Sequence, residues 1–328
     1  MRIIICAFNG DKCYQNPYLD NLCLDLEKLG HDVDINFPEY LKLLEYDIIW
    51  VHWPEQLNVA YVDFDIDHFI MFIKNNGLKL YFTMHNLIPH GFPDLYKNLT
   101  YQLLSSADKV FHFEDTSLEK FRNFNKNSYI LPHHITSYPT ILKDEFNLIS
   151  VGSIRTWAEL KIVFIVAMWC FGKKEKFTYV GKCELGIFYA RYNNNFFSKL
   201  FWTLCNIIIN KFLYLILDHR QQLERQSFEL LLNSKSVYLC TKVNNLNSAG
   251  VYDAVGCNQF IIAPERTNMA DVAMHFIGST YNPKSARSII KAINICKTYL
   301  QKNKVSYDMA MFHRHAKNIR LSILRKVV

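Results

Sequence analysis

Three short runs in the second half of this 328-residue chain carry residue types suited to holding a phosphate. Gly152-Ser153-Ile154-Arg155 and Gly181-Lys182 each follow an apolar run directly, and Asn247-Ser248-Ala249-Gly250-Val251-Tyr252-Asp253 stands before another. Small residues at such places let backbone N–H groups close on an anion, and the start of a helix adds a favourable dipole. Arg155 brings a planar fork of donors that matches a diphosphate. Lys161 adds a point charge once the helix has begun, and Lys182 has a weaker claim on the nucleotide or phosphate. Ser248, Ala249 and Gly250 are small enough for their amides to approach a phosphate or sugar. In the first half His85 closes an apolar run with Asn86 beside it, and His52, His90, His133 and His134 occupy comparable but less pointed places. An imidazole at a strand's carboxyl end is placed to hydrogen-bond a sugar hydroxyl or a phosphate oxygen. Plainer roles stand beside these: Arg155 and Lys161 as solvated charges on a helix end, Asp253 as a first-turn partner of the helix dipole.

What is missing narrows the chemistry. The chain has no G-x-G-x-x-G and no G-x-x-x-x-G-K-[ST], which disfavours hydride transfer on a standard dinucleotide fold and P-loop phosphoryl transfer. Its nine cysteines include no C-x-x-C pair, and H-E-x-x-H is absent, so neither a disulfide framework nor a metal site is expected. A reducing compartment, the cytoplasm, follows from the cysteine usage.

The elements that must carry these residues alternate. Arg2–Phe8 reads as a strand buried on both faces, and Leu19, Leu22, Cys23, Leu26 and Leu29 follow at helical spacing until Gly30. Further strands are expected at 31–36, 46–53, 78–85, 109–113 and 128–132, with helices around 67–75 and 95–105. The pattern restarts at 146–152, with strands at 176–182, 236–240 and 260–263 and helices near 158–171, 221–232, 248–257 and 284–300. Strands alternating with helices predict an α/β protein of parallel sheets covered on both faces. The domains expected are 1–140, 141–310 with a hydrophobic insertion near 193–217, and a C-terminal helix at 311–328 in position to pack back on the first domain. Ligands of open parallel sheets bind beyond the strands' carboxyl ends, which places the expected site in an interdomain cleft.

Composition agrees with a folded chain: 50% of residues are apolar and only 20% charged. The net charge of +7 divides unevenly, with −8 over residues 1–145 and +15 over 146–328. A basic half suggests an anionic partner: a phosphorylated small molecule, an anionic membrane surface or a nucleic acid. No recognisable RNA- or DNA-reading motif supports the last. Residues 193–217 are greasy and aromatic, but Lys199, Asn206, Asn210 and Lys211 break the run, which is too short to span a bilayer. Two readings stand open: a segment lying in a membrane interface, with Phe197, Trp202 and Phe212 buried, or a helical hairpin packed on its own domain.

The order Gly-Ser-Ile-Arg, Gly-Lys, then Ser-x-Gly-x-x-x-Ala-x-x-x-x-Gln-Phe-Ile-Ile-Ala resembles the carboxyl-terminal domain of GT-B glycosyltransferases similar to glycosyltransferase family 4. In the first half, Tyr46–Trp53, Thr83–His90, Ala107–Val110 and Ile130–His133 resemble that family's acceptor domain in order. The chain departs from the family pattern where Asn245 and Asp253 replace its two glutamates, where Ile162 rather than glycine follows Lys161, and at Asn258-Gln259. The resemblance implies two tandem Rossmann-like domains and transfer of a sugar from a UDP- or GDP-sugar to an acceptor hydroxyl. It also implies a retaining course, polysaccharide or lipid-linked glycan assembly, and no cofactor beyond the donor substrate. It assigns His85, Arg155 and Lys161 to catalysis and Gly152, Lys182, Ser248, Ala249, Gly250 and Asp253 to the donor, with Asp253 on the ribose. An inverting course would need a base, for which Asp11, Glu55 and His85 are the candidates. Competing expectations are a sugar-nucleotide 2-epimerase of the same architecture and a noncatalytic membrane-associated partner protein. Either enzyme would lie in the cytoplasm or peripherally on the cytoplasmic membrane face.

Overall fold

The computed structural model describes residues 1–7, 17–85, 95–135, 146–186, 196–220, 236–243, 248–276, 278–302 and 309–328. Its strands are β1 (Arg2–Cys6), β2 (Asp32–Ile35), β3 (Ile48–Val51), β4 (Lys79–Thr83), β5 (Lys109–His112), β6 (Ser128–Ile130), β7 (Asn147–Val151), β8 (Lys176–Val180), β9 (Asp218–Arg220), β10 (Ser236–Leu239), β11 (Phe260–Pro264) and β12 (Gly278–Tyr281). The α-helices are α1 (Pro17–Glu27), α2 (Pro54–Ala60), α3 (Ile66–Asn75), α4 (Leu95–Ser106), α5 (Asp115–Phe121), α6 (Trp157–Lys173), α7 (Phe196–Ile216), α8 (Ala249–Gly256), α9 (Asn268–His275), α10 (Ala286–Lys302) and α11 (Met309–Val327). They form two compact units, Met1–His134 with Arg314–Val328, and Ile135–His313.

The first unit is built on a six-stranded sheet in the order β2-β1-β3-β4-β5-β6, and every pairing is parallel. Ile3, Ile4, Ile5 and Cys6 have no exposed surface, as a strand covered by helices on both faces requires. Ile3 and Ile5 pack with Trp50, Leu22 and Leu26 from the same chain half, and with Leu324 and Val327 of α11. Arg320 of α11 donates to buried Asp25 of α1 and to His134, and Tyr81 Oη donates to the Val327 carbonyl at 3.0 Å.

The second unit repeats the scheme in the order β12-β11-β10-β7-β8-β9, again all parallel. One core lies under α6 and α10 through Ile162, Val163, Val166, Ile289 and Ile293, and another under α8 and α9 through Val251, Val255, Met269 and Val272. Sequence pattern finds four of the six strands. The two it misses, β9 and β12, are the sheet's edges, where Asp218-His219-Arg220 and Gly278-Ser279-Thr280-Tyr281 carry no apolar run. The expected helix at 221–232 lies outside the described residues.

Residues 196–216 form one 21-residue helix, α7, rather than a hairpin. Leu213 is buried in the unit's core, with Trp202, Ile209 and Ile216 packed against it, and two amides add polar attachments. Asn206 accepts from Leu185 N and donates to Leu185 O, both at 2.9 Å. Asn210, one turn on, accepts from Cys183 N at 2.9 Å and donates to Cys183 O at 3.3 Å. Two amides thus satisfy the backbone of the 183–185 segment as a neighbouring strand would. Among the described residues no helix is long and apolar enough to cross a membrane.

Candidate functional site

In each sheet the strand order reverses once, between β1 and β3 in the first unit and between β7 and β10 in the second. Open parallel sheets bind ligands beyond the carboxyl ends of the two strands flanking such a reversal. In the second unit those ends are Val151-Gly152-Ser153 and Cys240-Thr241-Lys242.

The chain leaves β7 through Gly152, at φ +109°, and runs beside the segment that leaves β8. Gly152 N donates to Val180 O, Ile154 N to Lys182 O and Glu184 N to Ile154 O, each at 2.8 Å. Gly181 adopts φ +151°, and a Cβ there would collide with the Gly152 carbonyl. Gly181 is therefore needed for the two segments to touch, while Gly152 is needed for its positive φ. Tyr179 Oη donates to Gly152 O, and the His219 ring hydrogen-bonds Gly181 O at 2.7 Å, which fixes the pair from the sheet side.

Arg155 then precedes α6. Its Nε lies 4.0 Å from Glu184 Oε2, a loose and partly exposed pair. Thr156 caps α6 by accepting from Glu159 N at 3.2 Å, while Glu159 Oε2 accepts from Arg155 N at 2.7 Å. This is a capping box displaced by one residue. Buried Lys242 completes it, donating to the Ser153 carbonyl and standing 3.3 Å from Glu159 Oε2. Burial pulls the Lys242 pKa below its ordinary value, and Glu159 acts against that shift.

The sequence assignments distribute unevenly over this geometry. Gly152, Arg155 and the backbone of Lys182 meet at the loop, and the Lys182 side chain is exposed. Lys161 does not join them. It is exposed on the outer side of α6, in a groove with Trp157, Phe164 and Phe212, because helical periodicity turns it away from Glu159. The lysine at the loop is Lys242, which sequence reasoning missed, together with Glu159. Thr156-x-x-Glu159 was a legible capping signal, whereas Lys242 becomes visible only once β10 is known to neighbour β7. Ser248 precedes α8 without a side-chain capping bond, Ala249 and Gly250 open the helix, and Asp253 is half-buried in its second turn. A side chain at Gly250 would strike the Tyr238 hydroxyl, so packing alone demands a small residue there.

At the first unit's reversal His85, half-buried just past β4, meets His52, just past β3, with His85 Nε2 and His52 Nδ1 at 3.1 Å. Trp53 stacks on His85 at 4.6 Å, and Tyr18, Phe113 and His133 close the cluster. Burial drives the His52 pKa down to about 3 and that of His133 to about 4, so both are neutral near pH 7. Buried His52 Nε2 has no hydrogen-bond partner among the described residues. An unpaired buried acceptor is tolerated better than an unpaired N–H, so His52 donates from Nδ1 and accepts nothing there. Accepting from His52 at Nε2 places the His85 proton on Nδ1. Half-buried Glu55, in the first turn of α2, has its carboxyl pushed up to about 6 by burial. His134 is engaged by Arg320, while Asp11, Asn86, His90 and Asn245 lie outside the described residues. Among the described residues no group of three His, Cys, Asp or Glu side chains could hold a metal ion.

No protein-family profile matches the chain, and no curated protein matches it in sequence. Solved structures do match in shape. The catalytic domain of starch synthase IV from Arabidopsis thaliana, bound to ADP and acarbose, superposes with a TM-score of 0.62 at 9% identity, covering 97% of this chain and 94% of that one. HepE of Anabaena, in complex with UDP and glucose, gives 0.57 at 15% identity over 98% and 94% of the two chains. A UDP-forming alpha,alpha-trehalose-phosphate synthase from Burkholderia vietnamiensis gives 0.51 at 10% identity over 84% and 68%. The two parallel six-stranded sheets with flanking helices are thus the two-domain Rossmann-like GT-B fold.

Proposed function

We propose that this protein is a glycosyltransferase that moves a sugar from a UDP- or GDP-sugar to an acceptor hydroxyl, with a retaining course, in the assembly of a polysaccharide or lipid-linked glycan. The observation that carries the reading is the loop at the β7/β10 reversal: the first turn of α6 and the Arg155 side chain lie where this sheet topology takes a ligand. HepE and starch synthase IV, which share the fold, hold UDP and ADP respectively. The nucleotide sugar is the substrate, and no further cofactor is invoked.

The chemistry needs charge stabilisation. As the glycosidic bond to the donor breaks, negative charge grows on the leaving diphosphate. Arg155 and the α6 amides interact more strongly with that charge than with the intact donor, which lowers the barrier. Lys242 is a positioning residue: Glu159 neutralises it, and its bond to the Ser153 carbonyl holds the loop in shape. Ser248, Ala249 and Gly250 offer amides to a phosphate or sugar, and Asp253 accepts from the ribose hydroxyls. In a retaining course the acceptor attacks from the leaving-group side and no protein nucleophile is required. His85, as an Nδ1–H donor, hydrogen-bonds a sugar hydroxyl or phosphate oxygen.

Isothermal calorimetry with UDP and GDP, on the wild type and on Arg155→Ala, tests this reading. One of the two should bind, and loss of the charged fork should weaken it about tenfold to a hundredfold, the worth of a charge-assisted hydrogen bond. Absence of binding to either nucleotide, or equal binding by R155A, would sink the assignment. Turnover of the bound nucleotide sugar only with an acceptor present marks transfer, interconversion without acceptor marks an epimerase, and binding without turnover marks a noncatalytic relative.

A further inference from the structure

The second unit carries a helix, α7, that is apolar on both its inner and its outer face. The face of α7 toward the protein is anchored by Asn206 and Asn210, while Phe197, Phe201, Ile208 and Leu215 lie on the outside, from 59% to 80% exposed. A surface helix ordinarily turns a charged or polar face outward. Beside it the outer stripe of α6 repeats the pattern at helical spacing, with Trp157, Lys161, Phe164, Met168 and Phe171, the last 79% exposed. Phe164 faces Phe212 at 6.4 Å and Trp157 faces Trp202 at 6.4 Å, so the two stripes form one continuous surface. Monomeric soluble proteins rarely leave such a surface uncovered.

The charges on this surface decide what covers it. Lys161, Lys173, Lys174 and Lys211 are exposed on or at the ends of the two helices. The only acidic residue in either helix is Glu159, which is buried beneath the loop. A second copy docking through the same face by two-fold symmetry would set lysine against lysine. Anionic lipid headgroups instead pair with the ammonium groups while the aromatic side chains enter the acyl boundary. We infer that the outer face of α6 and α7 is a monotopic docking surface for an anionic lipid bilayer, with Lys161 as a headgroup contact. Trp157 lies two residues beyond Arg155, so the bilayer plane begins at the end of α6 that bears the anion loop. Resting on the glycosyltransferase reading, this makes the acceptor a lipid-borne one.

The test is flotation with phosphatidylcholine vesicles, with and without phosphatidylglycerol, at low salt. The wild type should float with the anionic vesicles and be partly released by salt. Phe171→Glu/Phe212→Glu should reduce the bound fraction about tenfold or more, since two buried rings are lost and two like charges are added. If that variant does not fold, brominated lipid supplies the second readout: tryptophan emission should be quenched in the wild type, and the quenching should fall in Trp157→Phe. No flotation with anionic vesicles, or flotation that F171E/F212E leaves unchanged, overturns the inference. So does a dimer in analytical ultracentrifugation that F171E/F212E dissociates, which would make a second copy the occupant. Nucleotide affinity measured without lipid should be the same in F171E/F212E and wild type, so the lipid and nucleotide assignments fail separately.

Discussion

The Lys242–Glu159 pair under the phosphate loop makes a quantitative demand on stability. Lys242→Met keeps the apolar stem and removes the ammonium, leaving a buried carboxylate whose remaining partner is the Arg155 amide at 2.7 Å. Stripping one partner from a buried pair costs about 3–5 kcal/mol. Here that amide survives and the carboxylate sits in the first turn of α6, where the helix dipole returns about 1 kcal/mol. A loss of about 2–4 kcal/mol is therefore expected. Glu159→Gln in the Lys242→Met background removes the stranded charge and should recover at least half of that loss, giving a coupling energy above about 1 kcal/mol. Urea unfolding followed through Trp169, which packs against this unit's core, measures all four corners of the cycle. Strictly additive effects, or a loss below about 0.5 kcal/mol for Lys242→Met, would show that the pair is solvated and does not shape the loop.

Two other perturbations probe the reversal points. Neutral His52 and His133 take up protons only on unfolding between their folded values of about 3 and about 4 and the ordinary 6.5, so stability of the first unit should fall as pH drops through that window. Each contributes a slope of up to about 1.4 kcal/mol per pH unit, and His52→Gln should flatten the urea midpoint against pH by about one proton. Gly181→Ala forces a Cβ into the Gly152 carbonyl, so it should lower both the unfolding midpoint and nucleotide affinity measured by calorimetry, whereas an alanine at exposed Gly172, which meets nothing within 4 Å, should leave affinity unchanged.

Central strands such as β1, β3 and β4 are legible because burial on both faces leaves an unbroken apolar run. The edge strand β9 is not, since a strand paired on one side tolerates Asp218 and Arg220. Gly152 and Arg155 could be picked out from their position after a strand. Lys161 follows them in sequence, but on a helix sequence proximity does not mean a shared face. The residue that meets the loop, Lys242, lies 89 positions from Ser153, and only strand order brings it there. Asn206 and Asn210 read as interruptions of an apolar segment, and their meaning lies in the backbone groups of 183 and 185 that they bond.

The return of α11 to the first unit has a consequence for how the chain is made. Leu324 and Val327 fill that unit's core, and Arg320 neutralises a buried aspartate laid down near its start. Until residues 314–328 emerge from the ribosome, Asp25 is an uncompensated charge in a half-built core. The intervening unit is a single contiguous segment from Ile135 to His313, and it can fold as soon as it is complete. Synthesis at about 5–20 residues per second keeps the earlier half waiting for roughly ten seconds or more while the later half is translated. Maturation thus runs from the middle outward, and a ribosome stalled in the last two turns would release a chain whose second unit is native and whose first is a substrate for chaperones and proteases.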